Sequence, residues 1–153
     1  MSVKPVVLSK ETLEVVEFNQ LKSRTTAEVL AELVNEFGIV YVTALTRQGC
    51  SGCETQKPLF QTLAEKMTRE NSERVVFRRF HMNYQDEDAR ESWSSKRIFG
   101  HAAYPTYMIH VNSQVGPLEI YRSVHPPIEE LEKQIKEAFE LADYYKTEAE
   151  KVQ

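Results

Sequence analysis

Two cysteines three positions apart, Cys50 and Cys53 in the stretch Gly49-Cys50-Ser51-Gly52-Cys53, are the entire cysteine content of this chain. Their spacing suits three kinds of chemistry: a structural staple, half of a metal site, or a dithiol that opens and closes. As a staple the pair is poor, because closing so short a loop is worth roughly 2 kcal/mol, against about 3 for fifteen residues. A zinc site needs two more ligands, and His81, His101, His110 and His125 show no paired spacing such as His-x3-His. No metal is expected. A redox pair fits best, provided a helix begins at the motif, because the unpaired amides of a helix N-terminus favour a thiolate. Cys50 is then the nucleophile and Cys53, one turn deeper, the resolving thiol. Arg47 and Lys57 reinforce that field, and Glu54 opposes it.

The elements that must hold such a pair are legible around it. Residues 39–45 are apolar on both alternations and rich in β-branched side chains, as a strand covered on both faces requires. From Ser51 the pattern turns helical, with Leu59, Phe60, Leu63, Ala64 and Met67 on one stripe. Pro58 either kinks this helix early or stands at its first position, and the spacing supports both. Upstream, Thr25-Thr26-Ala27-Glu28 matches a capping box for a helix over 26–37, with Gly38 as its stop. Downstream come a strand over 75–82, a helix from an Asp86 cap to about Phe99 stopped by Gly100, and a hairpin of strands at 106–111 and 118–122. A long amphipathic helix opens at Pro127, with its polar tail after Tyr145 expected to fray. In residues 1–24, either 3–8 or 15–18 supplies an edge strand.

Composition narrows the function. The chain has 153 residues, 41% of them hydrophobic, and carries a net charge of -4 with no basic run. It is sized for a single domain, 1–153, and a phosphate-tracking surface for nucleic acid has no support. No apolar stretch approaches the roughly 18 residues of a membrane span, and no apolar leader opens the chain, so a cytoplasmic protein without membrane partners is expected.

The order of elements, with Cys-x-x-Cys after a buried strand, Pro58 five residues beyond it and Tyr104-Pro105-Thr106 before a later strand, resembles the thioredoxin family over about residues 25–141. The resemblance implies an α/β thioredoxin fold, a central mixed sheet of four or five strands flanked by helices. It implies a kink at Pro58 and a cis peptide at Pro105, which would face the cysteines and leave the Tyr104 main chain to pair with an extended substrate. Tyr104, Pro105, Gly49, Ser51 and Gly52 are thus the expected substrate-binding residues. The activity implied is thiol–disulfide exchange, with protein disulfides as substrates, a reductase as electron donor and the Cys50–Cys53 disulfide itself as redox group, without a bound cofactor. A different class of function is a redox-inactive or redox-sensing interaction module on the same fold. The sequence departs from the family at three places. Gly49 replaces the usual Trp before the first cysteine, Ser51-Gly52 replaces Gly-Pro, and Ala44 stands where a buried acid normally takes the resolving thiol's proton. His101, four residues before Pro105, is either a proton relay or a surface or hydrogen-bonded loop histidine.

Overall fold

A computed structural model describes residues 13–17, 24–83 and 90–152. Its elements run β1 (Leu13–Glu17), α1 (Thr26–Leu33), β2 (Val40–Arg47), α2 (Ser51–Glu70), β3 (Val75–Met82), α3 (Arg90–Phe99), β4 (Thr106–Ser113), β5 (Gly116–Val124) and α4 (Ile128–Lys151). The strands form one mixed sheet in the order β1-β3-β2-β4-β5. β3 lies parallel to both β1 and β2, whereas β4 runs antiparallel to β2 and to β5. This is the thioredoxin fold expected from the order of elements, with five strands.

β2 is central, and its residues are buried on both alternations, which is why both faces carry apolar side chains such as Val40, Tyr41, Val42, Ala44 and Leu45. Val40, Val42 and Ala44 face α2 and α4, where Phe60, Leu63, Met67, Leu131 and Ile135 cover them. Tyr41 and Leu45 face the opposite layer with Val29 and Leu33 of α1 and Ile98 and Phe99 of α3. Phe60 anchors the long helix by packing its ring edge-on to Phe77 at 5.6 Å and tilted on Tyr107 at 5.2 Å.

Two helix ends differ from the sequence reading, and one start that it left open is decided. The capping box forms, with the Glu28 amide donating to Thr25 Oγ1, but α1 stops at Leu33 rather than near residue 37. There the Tyr41 hydroxyl accepts from the Glu36 amide and donates to Asn35 Oδ1, which draws the chain out of the helix. The helix at the cysteines starts at Ser51, with Pro58 inside it. α4 continues past Tyr145 to Lys151, where Ala149 is still buried. Of the two edge-strand candidates, 15–18 overlaps β1, which starts two residues earlier at Leu13; the segment 3–8 and the Asp86 cap lie outside the described residues. Gly100 ends α3 as expected, at φ 71° with its amide on the Lys96 carbonyl.

Candidate redox site

Cys50 is the N-cap of α2, and its Sγ accepts a hydrogen bond from the Cys53 amide at 3.1 Å. That amide is an orphan donor of the first helical turn, so a negative sulfur here meets both a direct donor and the positive end of the helix. Cys50 and Cys53 are joined as a disulfide with Cα atoms 5.2 Å apart. Both are buried, at 8% and 4% exposure, with Cys53 the deeper. The turn from β2 into the motif is held by the Gln48 amide on the Met82 carbonyl. Gly49 sits at φ 74° within that turn. A side chain there is strained, so the loss of an aromatic shoulder at this position goes with a backbone that favours glycine.

The Tyr104–Pro105 peptide is cis. Pro105 Cδ lies 3.4 Å from where a Cβ on Gly52 would stand, so this proline faces the Cys-x-x-Cys turn. The Pro105 carbonyl already accepts the His125 amide at 2.9 Å. Ladder pairing on both sides of β4 begins at Thr106, which leaves Tyr104 beyond the paired part of the strand. The Tyr104 side chain points away into α3, where its hydroxyl bonds Ser92 at 3.0 Å and Ser95 at 2.7 Å. Its ring meets His101 edge-on at 4.8 Å. The Arg47 guanidinium carbon lies 5.8 Å from the ring centroid and the Lys96 ammonium 5.7 Å. Tyr104 is therefore fixed by its side chain while its main chain stays at the site.

His101 is neither of the things its position suggested. It is buried, both ring nitrogens lack a hydrogen-bond partner, and burial followed by the charges of Lys96 and Arg122 depresses its pKa to about 4. A neutral ring packed on Tyr104 is a spacer at pH 7 rather than a relay. Beneath the motif, Ala44 is flanked in register by Arg79 on β3 and Tyr107 on β4. Burial pushes the Tyr107 phenol far up and lowers Arg79, whose Nε has no partner. A neutral phenol and a guanidinium are poor proton acceptors, so these neighbours supply no substitute for the buried acid that thioredoxins usually carry. Arg79 also lines a groove of about 200 Å³ with Glu54, Lys57 and His81.

Two contributors escaped the sequence reading. Gln56, one turn after Cys53, is buried and donates to the Pro126 carbonyl at 2.7 Å. His125, in the β5–α4 connection, brings its ring against Gly52: Cδ2 lies 2.9 Å and Nε2 3.3 Å from the position of an added Cβ. The available signal was the string His125-Pro126-Pro127 between a strand and a helix, with a titratable side chain beside two strand-stopping prolines. No helix among the described residues is long and apolar enough to cross a membrane, and these residues contain no His, Cys, Asp and Glu cluster able to hold a metal ion.

No family model and no curated protein sequence matches this chain. Solved structures do. A thioredoxin from Malassezia sympodialis superposes with a TM-score of 0.55 at 18% identity, covering 91% of this chain and 97% of its own. Thioredoxin from Trichomonas vaginalis gives 0.61 at 10% identity, covering 84% and 98%. A chain from a crystal structure of ferredoxin:thioredoxin reductase with thioredoxin f2 gives 0.55 at 15% identity, covering 82% and 94%. The protein thus has a thioredoxin-like fold with a Cys-x-x-Cys disulfide at the start of its second helix. At these identities the likeness establishes the fold, and function has to be argued from the site.

Proposed function

We propose that the protein is a thiol–disulfide oxidoreductase acting on protein disulfides. The observation that carries this reading is the Cys50–Cys53 disulfide at the N-terminus of α2, with the Cys53 amide on Cys50 Sγ and cis-Pro105 facing the turn. In the reducing direction the Cys50 thiolate attacks one sulfur of a target disulfide, forms a mixed disulfide and releases the first target thiolate. Cys53 then gives up its proton to water or to the exposed Glu54, attacks Cys50 Sγ and releases the second target thiolate. Two electrons pass to the target, which takes up two protons, and the Cys50–Cys53 disulfide is restored. An extended target segment would pair with the Tyr104 main chain, in the manner of strand addition, over a floor of Gly49, Ser51, Gly52 and Pro105.

The redox group is the disulfide itself, without a further cofactor. A reductase returns the electrons, a role supported by the neighbour seen with ferredoxin:thioredoxin reductase. A reducing compartment such as the cytoplasm suits a dithiol in this role. Dithiothreitol-driven reduction of insulin tests the activity. Micromolar protein should accelerate precipitation of the insulin B chain, and Cys53→Ser should accumulate mixed disulfides through Cys50. A flat insulin response together with no trapped adduct would sink the proposal.

A further inference from the structure

His125 is one of two described non-glycine residues with positive φ, at 48°. Such a backbone is sparsely populated outside glycine and persists where surrounding structure imposes it. Here two constraints do so: its amide is bonded to the Pro105 carbonyl, and the next residue's carbonyl takes the Gln56 side chain. The result aims the imidazole at the backbone of Gly52, between the two cysteines, where a Cβ would come within 2.9 Å of the ring. Gly52 and His125 are therefore a matched pair: the missing side chain is what lets the ring approach the redox turn.

Imidazole changes charge in the range where thiols of this kind ionise. Resting on the reading of the site as a redox couple, we propose that His125 is a charge-tuning, positioning residue of the dithiol. Its imidazolium, held over Gly52, stabilises the Cys50 thiolate of the reduced protein and so draws the couple toward its reduced form. The half-reaction in this regime consumes two electrons and one proton: the disulfide becomes a Cys50 thiolate and a Cys53 thiol, while His125 keeps the proton it already carries.

The charged residues at the ends of the surrounding elements are Arg47 at the end of β2, Glu54 and Lys57 on α2, and Glu129 and Glu130 on the first turn of α4. On β5, Arg122 is paired with Glu119. Pro105, just before β4, faces the same turn. These groups, like His125 itself, are exposed or half-buried, so salt screens their fields. The contribution of His125 has a distinct pH signature. It vanishes where Cys50 is a thiol and again where the ring is neutral, and it is largest between those limits.

The test is equilibration of wild type, His125→Gln and His125→Lys with dithiothreitol redox buffers from about pH 5 to pH 9. Near neutrality the wild-type disulfide should be about fivefold easier to reduce than that of the Gln variant, or ~20 mV for a two-electron couple. That gap should close at both ends of the range, and the Lys variant should retain it at the alkaline end. An absent gap, or one independent of pH, overturns the proposal. Ring-proton NMR of wild-type His125 makes the test independent of any variant's folding. By linkage its pH curves must differ between oxidised and reduced protein, and superimposable curves overturn the proposal. If the wild type fails to equilibrate with dithiothreitol at all, the exchange reading falls and this proposal with it. If it equilibrates without a His125 signature, only the proposal falls.

Discussion

The Gln56 side-chain amide donates to the Pro126 carbonyl at 2.7 Å in the protein interior, across seventy positions of sequence. This bond ties the turn that follows the dithiol to the loop that carries His125. Replacing Gln56 with Leu strands the Pro126 carbonyl, although it also removes the unpartnered Gln56 Oε1. A net loss of about 1 kcal/mol is expected. For a chain of this size that is ~2 to 4 °C in thermal midpoint, followed by circular dichroism. An unchanged midpoint would mean that water replaces the bond without cost.

Acid should weaken the fold through two histidines. His101 and His110 are buried, and desolvation lowers each pKa to about 4, with the Glu119 carboxylate only partly opposing this at His110. His110 Nε2 lies 3.8 Å from Glu119 Oε1, but a ring that is neutral at pH 7 makes no ion pair there. In the unfolded chain both rings take up a proton near about pH 6.5. Between that value and about 4 the unfolded state therefore holds more protons, so stability is greatest above this window and falls as pH is lowered through it. The slope is up to about 1.4 kcal/mol per pH unit for each ring. Urea unfolding at several pH values checks this, and His110→Asn should flatten the curve.

Gly49 marks a place where the tryptophan usual in thioredoxins should do harm. At φ 74° any side chain is strained. Gly49→Trp is expected to lose about 1 to 2 kcal/mol, with no compensating gain in insulin reduction. Gly49→Ala separates backbone strain from the size of the ring, and should already show most of the loss in denaturant titration.

Cys50, the proposed nucleophile, is also the N-cap of α2. Serine is among the best N-cap residues. Cys50→Ser should therefore abolish exchange while keeping the fold within about 1 kcal/mol of the reduced wild type. Cys50→Ala removes the cap acceptor as well and should cost about 1 kcal/mol more. Equal stability of the two variants in urea would show that the sulfur contributes nothing as a cap.

The scaffold was legible wherever local chemistry and tertiary packing agree. Residues 39–45 announced a central strand because both alternations are apolar, and β3 runs over the expected 75–82. α1 was overestimated because its end is decided by the Tyr41 hydroxyl, a partner that helical periodicity cannot reveal. Tyr104 was singled out from its place before Pro105, yet the serines that hold its hydroxyl lie on a helix whose pattern is weak. His125 stayed hidden because it meets Gly52 only after β5 and its following turn have been folded back onto α2.

Pro58 stands exposed in the middle of this long helix and has no amide to offer the Glu54 carbonyl. Beyond it, Phe60, Leu63, Ala64 and Met67 are pinned in the core, while before it only Cys53 and Gln56 are buried. Mechanically the helix is thus two segments joined at one missing bond. In hydrogen exchange the amides of residues 53–57 are expected to open locally with the sheet intact, and those of 60–67 only with global unfolding. The dithiol sits on the short segment, so the sulfurs can change partners while the part of the helix that sustains the fold stays still.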